Sequence, residues 1–327
     1  MATFISARLG GKVVLEQARF TNLGAVTAPK GPSLPLVKKH QVISQPQRAQ
    51  KSAVMAMAAS TEVSTVSGTM EELKNAGKIA FIPFLVACDP NPATTVEALR
   101  QLDTLGASVI ELGVPYSDPL ADGPVIQAAA TRALQIGTTL DKVLDVVREA
   151  KTSVKAPIVL FTYFNPIMAR GLDKFCKQAK AAGAAGLLVP DIPLEETPEI
   201  RRVATENGLE LVLLTTPTTP APRQQAIAKT SQGFVYLVSV TGVTGVRVKT
   251  EARVEGLIKT LKEVSDGKSV AVGFGVAGPE QAKEIKDWGA DGVIVGSALV
   301  RALGEAPTPQ EGLQRMIALA KSIREAI

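Results

Sequence analysis

Short apolar runs alternate along most of the chain with stretches whose apolar positions recur every three or four residues. The runs are Ile79–Ala87, Ser108–Gly113, Ile158–Tyr163, Gly186–Pro190, Leu209–Thr215, Phe234–Ser239, Ser269–Phe274 and Gly292–Gly296. They are rich in Val, Ile, Leu and Phe, and their only charged residues are Glu111 and Glu210. Continuous apolar runs of this length suit strands buried on both faces, as in a parallel sheet. The intervening stretches read as helices. Thr94–Leu105 carries Val96, Leu99, Leu102 and Leu105 with charges between them, an apolar stripe at helical spacing. Asp141–Lys151, Asp173–Ala182, Glu195–Glu206, Arg223–Thr230, Glu251–Val264, Pro279–Trp288 and Pro309–Ala326 read similarly, and Pro279 and Pro309 suit a first helical turn. Eight strands alternating with helices over about 265 residues predict an α/β protein built as a single closed (β/α)8 TIM barrel. The competing arrangement is an open doubly wound sheet. It usually carries GxGxxG after its first strand, and none follows Ile79–Ala87.

The charge is unevenly spread, and this changes the picture of the ends. The 327 residues include 36 Lys+Arg and 31 Asp+Glu, a net of +5. Residues 1–60 hold Arg8, Lys12, Arg19, Lys30, Lys38, Lys39, Arg48 and Lys51 against Glu16, a net of +7; residues 61–327 carry −2. The larger part therefore gives no electrostatic reason to expect a nucleic-acid partner. The first 60 residues are basic, dotted with Ser and Thr and nearly free of acid. That is the composition of a disordered organelle transit peptide, with Ala53–Ala59 as a processing neighbourhood. The alternative is a basic tail that stays attached. Composition leaves plastid or mitochondrion open. No apolar run is long enough for a secretory core or a membrane span, so no membrane partner is expected. The expected division is transit peptide over 1–60 and barrel over 61–327.

The lone histidine, His40, lies in the basic segment. Its removal would leave no imidazole for a triad, a metal site or a general base. Cys88 and Cys176 lack CxxC spacing and are read as free thiols, so no zinc site is expected.

In barrels of this kind the chemistry sits at the C-terminal ends of the strands. Glu111 stands inside an apolar run, where an unpaired charge is costly unless it faces a partner or a site. Burial would raise its pKa and let it exchange protons near neutrality. Asp122 follows in a loop stiffened by prolines; it suits a positioned second acid, with an N-cap for a helix starting at Pro124 as the alternative. Asp118 reads as a turn residue or a site residue. Gly273, Gly275 and Gly296 with Ser297, and Gly245 in the sixth loop, form a second constellation that could hold a phosphate through backbone N–H groups and a helix N-terminus. No lysine or arginine sits at these strand ends, so amides and the helix dipole are expected to do the binding. Lys78, Lys155 and Lys268 precede strands and fall at the opposite face, which argues against a Schiff-base lysine. What remains is a phosphate handle and two carboxylates, general acid–base chemistry with neither cofactor nor metal.

The segment ELGVPYSDPLADGPVIQ, Glu111 to Gln127, resembles the signature region of the tryptophan synthase α-subunit family. FIPFLVACDP (81–90), LFTYFNPI (160–167), VPDIPLEE (189–196), FVYLVSVTGVTG (234–245), VGFGV (272–276) and ADGVIVGSALV (290–300) are similar to that family in order and spacing. The resemblance covers roughly 70–327. It implies retro-aldol cleavage of indole-3-glycerol phosphate to indole and glyceraldehyde 3-phosphate, with indole passed to a β subunit in an α2β2 assembly. It implies catalytic roles for Glu111 and Asp122. Phe84, Phe161 and Thr244 match positions around the indole, Tyr236 matches a site tyrosine or stands as an aromatic core residue, and Gly245, Phe274, Gly275, Gly296 and Ser297 match the phosphate site. With the basic segment, it implies a plastid-type member in the chloroplast stroma. Val240 departs from the basic residue often found before GVTG. Ser239-Val240 is similar to plant relatives that release free indole without a β partner, so a stand-alone lyase is the alternative. A non-catalytic barrel that only activates a partner is a third reading, and intact Glu111 and Asp122 argue against it.

Overall fold

The chain divides into two units, residues 1–60 and 61–327. The structure, a computed structural model, describes residues 64–238, 247–273 and 275–327. The expectations for residues 1–60, and those for Val240, Thr244, Gly245 and Phe274, lie outside the described residues.

Helix α1 (Val66–Asn75) comes first, followed by β1 (Ala80–Val86), α2 (Pro92–Thr104) and β2 (Ile110–Gly113). Next come α3 (Pro124–Gln135), α4 (Leu140–Ala150), β3 (Ile158–Phe161), α5 (Phe164–Arg170), α6 (Leu172–Ala182) and β4 (Gly186–Leu188). A 3₁₀ turn (Leu194–Glu196) leads to α7 (Thr197–Glu206), β5 (Glu210–Thr215), α8 (Ala221–Thr230) and β6 (Phe234–Val238). The chain ends with α9 (Arg247–Val264), β7 (Ser269–Gly273), α10 (Pro279–Asp287), β8 (Gly292–Val295), α11 (Ser297–Gly304) and α12 (Pro309–Ala326). Each strand pairs in parallel with the next, and β8 pairs with β1. The sheet is therefore closed, as the alternation of runs and stripes predicts.

The apolar runs are continuous because each strand is covered on both faces. Ala80, Ile82, Phe84 and Val86 of β1 point inward and pack with Val159, Leu188, Val212, Phe234, Tyr236, Ala271 and Ile294. The alternate residues, Phe81 and Leu85, join Leu112, Leu160, Leu99, Leu102, Phe175 and Met316 in the layer between barrel and helices. Full burial of each such side chain contributes about 1.5–3 kcal/mol. The helix starts follow local rules. Asn91, Thr139 and Thr308 accept N–H groups at the starts of α2, α4 and α12. Pro279 and Pro309 open α10 and α12 as expected.

Four helices are not among the stripes read from the apolar pattern: α3 and α11 are expected only as helix starts at Pro124 and after the eighth run, and α1 and α5 are not expected at all. α1 (VSGTMEELKN) contributes only Val66 and Met70 to the core, but these fill the inner barrel beside Phe234 and close its N-terminal end. The Ser67 N–H donates to the Glu210 carboxylate, and the Ser67 hydroxyl does so too. Glu210, the second charge in the runs, is therefore a structural partner of α1. α5 is seven residues long and contains Pro166.

Two contacts set the upper rim. Asp89, buried beyond β1, receives both Nε and Nη2 of Arg132 at 2.8 Å, which fastens α3 to the end of β1. A Cβ at Gly304 would collide with Arg132 and Asp89, so α11 also packs on this pair. The elements that follow β1, β2 and β8 thus meet at one joint.

Candidate active site

Glu111 lies on the inner face of β2, in register with Phe84 on β1 and Val159 on β3. It is fully buried, and neither carboxyl oxygen has a hydrogen-bond partner. The other buried side-chain oxygens without partners, among the described residues, are hydroxyls of Thr138 and Thr215, so Glu111 is the acid in that set. Burial pushes its carboxyl up to about 8. A structural carboxylate would be paired; this one is not.

Asp122 lies in the loop between β2 and α3. The helix is capped by Gly123 with no side-chain bond, which sets aside the capping role. Instead Tyr163 donates its hydroxyl to Asp122 Oδ2 at 3.1 Å and accepts the Ala121 N–H at 2.9 Å. Gln127 Nε2 donates to the Asp122 carbonyl at 2.8 Å, and the Asp122 N–H donates to the Pro119 carbonyl at 3.1 Å. Burial raises the Asp122 carboxyl to about 6, and the Tyr163 hydrogen bond opposes that rise. Burial and the neighbouring Asp122 raise the Tyr163 hydroxyl in turn. Asp118 is exposed, and its carbonyl accepts the Leu120 N–H, a turn contact.

A cavity of about 160 Å³ opens at this end of the barrel. Apolar Phe84, Ile126, Phe161 and Tyr236 line it together with the carboxyl of Asp122, and Gly275, Gly296, Ser297 and Arg301 line it too. Phe84 and Phe161 meet edge to face with centroids 5.4 Å apart. Tyr236 is buried, which raises its hydroxyl further above the ordinary range and keeps it protonated. Glycine makes room for both rings: a Cβ at Gly113 would sit 2.8 Å from the Phe84 ring, and one at Gly273 would collide with the Tyr236 hydroxyl. Gly275 has φ +84°, a left-handed backbone that turns the loop after β7 toward the cavity. Glu111 is not itself in the cavity wall. It lies beside Phe84, which is.

The structure thus brings together Asp122, Phe84, Phe161, Tyr236, Gly275, Gly296 and Ser297, with Glu111 directly beside them. Two functional candidates escaped the sequence reading. Tyr163 ends the third run, but its bond to Asp122 spans 41 positions. No lysine or arginine stands at these strand ends, as expected, but Arg301 lines the same cavity from a helix, four residues after Ser297. That i, i+4 spacing was the available signal. Lys78, Lys155 and Lys268 precede β1, β3 and β7 as expected, and Lys268 donates to the Ala228 carbonyl at 2.7 Å. Both cysteines are buried free thiols. Among the described residues there is no cluster of three or more metal ligands, and no helix is long and apolar enough to cross a membrane.

A parallel (β/α)8 barrel with two elevated carboxyls at the C-terminal ends of its strands, an aromatic slot and a glycine-lined helix start defines an acid–base enzyme of the barrel class. The family model described as tryptophan synthase alpha chain matches residues 70–327. The tryptophan synthase alpha chain of Synechocystis sp. is 57% identical over 265 residues, covering 81% of this chain and 100% of that one. That of Arabidopsis thaliana is 51% identical over 269 residues, covering 82% and 98%. Among solved structures, the alpha subunit from Legionella pneumophila aligns with a TM-score of 0.73 at 39% identity, covering 80% of this chain and 97% of that one. A chain of the tryptophan synthase α2β2 complex from Pyrococcus furiosus aligns with a TM-score of 0.70 at 39% identity, covering 75% and 97%. The chain belongs to the tryptophan synthase alpha chain family, and it is a carbon–carbon lyase of tryptophan biosynthesis.

Proposed function

We propose that Glu111 and Asp122 divide the acid–base work of cleaving indole-3-glycerol phosphate into indole and glyceraldehyde 3-phosphate. The bond to indole C3 breaks when that carbon gains a proton and the adjacent glycerol hydroxyl loses one. A carboxyl held up to about 8 is protonated at neutral pH, so Glu111 starts as the acid at C3. Its side chain turns from the barrel wall toward the cavity to deliver the proton. The resulting carboxylate then takes the hydroxyl proton as the aldehyde forms. Asp122, at about 6, is ionised at neutral pH; it accepts the indole N–H and stabilises the positive charge that C3 protonation places on the ring nitrogen. Phe84, Phe161 and Tyr236 surround the indole, joined by Thr244, and Gly275, Gly296 and Ser297 receive the phosphate, joined by Gly245 and Phe274. The observation that carries this reading is the unpartnered, fully buried Glu111 carboxyl beside a cavity that also holds Asp122. Its test is indole release from indole-3-glycerol phosphate by wild type and Glu111→Gln. The variant should lose about 10²–10⁴ in kcat; full activity would sink the assignment.

We further propose that indole passes to a tryptophan synthase β subunit in an α2β2 assembly, a reading supported by the similarity to the P. furiosus α2β2 complex. Co-elution with a β subunit and a faster cleavage rate are expected; neither would be seen for a stand-alone lyase. Residues 1–60 are proposed to be a plastid transit peptide. They precede the family match at 70–327, and a relative is found in a plant. Import into isolated chloroplasts with cleavage near Ala53–Ala59 is the expected outcome.

A further inference from the structure

A phosphate monoester carries about −1.5 to −2 charges at neutral pH. Backbone amides alone offer it only partial charges. α11 starts at Ser297, directly after β8, and no side chain caps it. The Gly296 carbonyl accepts the N–H groups of Leu299 at 2.9 Å and Val300 at 3.1 Å. The N–H groups of Ser297 and Ala298, in the first turn, precede any helical acceptor, and both residues line the cavity. Arg301 stands four positions after Ser297, on the same helix face, and lines the same cavity as Gly275, Val276 and Ala277. Its present partner holds it loosely. Nε lies 3.8 Å from Glu305 Oε2, and the two side chains are 61% and 49% exposed. Such a pair is worth about 0–1 kcal/mol, so a dianion in the cavity competes with it on favourable terms. Guanidinium presents a planar fork of N–H donors that matches phosphate oxygens two at a time.

We propose that Arg301 binds the substrate phosphate, leaving Glu305 and closing over the group already held by the first turn of α11. The inference rests on the lyase reading for its substrate, but not for its test. Phosphate binding is measured by calorimetry with inorganic phosphate on the full-length chain, independently of cleavage. Arg301→Gln should weaken phosphate about tenfold, as expected for losing hydrogen bonds to a charged group. Glu305→Gln should leave phosphate affinity unchanged or tighten it, because it removes a competing acceptor. With indole-3-glycerol phosphate, the Arg301→Gln loss should appear in KM rather than in kcat, and Arg301→Lys should recover part of it. Equal phosphate affinity in wild type and Arg301→Gln would overturn the proposal. So would equal weakening by Arg301→Gln and Glu305→Gln, the mark of a surface pair that merely stiffens the helix. No phosphate binding by wild type would overturn it as well. Wild type that binds phosphate in an Arg301-dependent way but releases no indole would instead sink the lyase reading and leave Arg301 as an anion ligand.

Discussion

Glu111 and Asp122 are both carboxyls raised by burial, yet they settle on opposite sides of neutrality. Glu111 has no hydrogen bond and rises to about 8; Asp122 has the Tyr163 hydroxyl and stops at about 6. Catalysis by the proposed division needs Glu111 protonated and Asp122 ionised. The profile of kcat/KM against pH should therefore be a bell, rising near pH 6 and falling near pH 8. Tyr163→Phe removes the bond that opposes the Asp122 shift. The rising limb should move to higher pH while the falling limb stays in place, a result read directly from the two profiles. Glu111 also has a cost in stability. Its folded pKa lies above its unfolded value of 4.5, so the folded state binds the extra proton between pH 4.5 and about 8. Unfolding free energy from this group therefore falls as pH rises across that window. Glu111→Gln should be more stable than wild type at pH 8, by roughly 1–4 kcal/mol, and should lose most of that advantage at pH 5. Urea denaturation at the two pH values checks the sign.

At the scale of elements, the two faces of the barrel are built by different rules, and this governs what could be read in advance. The strands were legible because burial on both sides leaves runs such as Ala80–Val86 without a polar residue. Glu111 was legible for the same reason, as a charge that such a run does not tolerate. Helices with a full apolar stripe, such as α4 with Val143, Leu144, Val146, Val147 and Ala150 buried, were legible too. α1 was not, because it buries only Val66 and Met70 and because its partner Glu210 lies 143 positions from Ser67. Tyr163 and Arg301 were missed for related reasons. One acts through a long-range bond, and the other enters the cavity from the side of a helix. The position of α1 separates stability from chemistry. Met70 is buried at the N-terminal end of the barrel, away from the strand ends that carry the site. Met70→Ala should cost about 2–5 kcal/mol in urea denaturation by leaving a cavity there, with kcat little changed at 25 °C.

On the scale of the whole molecule, the net charge of +5 is a sum over two parts of opposite sign. The first 60 residues carry +7 and the remainder −2. The part that matches the family, residues 70–327, holds every described residue of the site and falls within the unit spanning 61–327. A phosphorylated substrate therefore approaches a slightly acidic barrel. Local devices, the first turn of α11 and Arg301, must supply the attraction that the overall field does not. If the basic segment serves delivery alone, its loss changes the charge of the protein without changing its chemistry. A chain beginning at Thr61 should keep kcat and KM for indole-3-glycerol phosphate within about twofold of full length, since no binding or acid–base term is removed. At pH 7 it should bind an anion exchanger, where the full-length chain binds a cation exchanger. A large rise in KM on truncation would show instead that the basic segment lends its charge to substrate capture, and the delivery reading would fall.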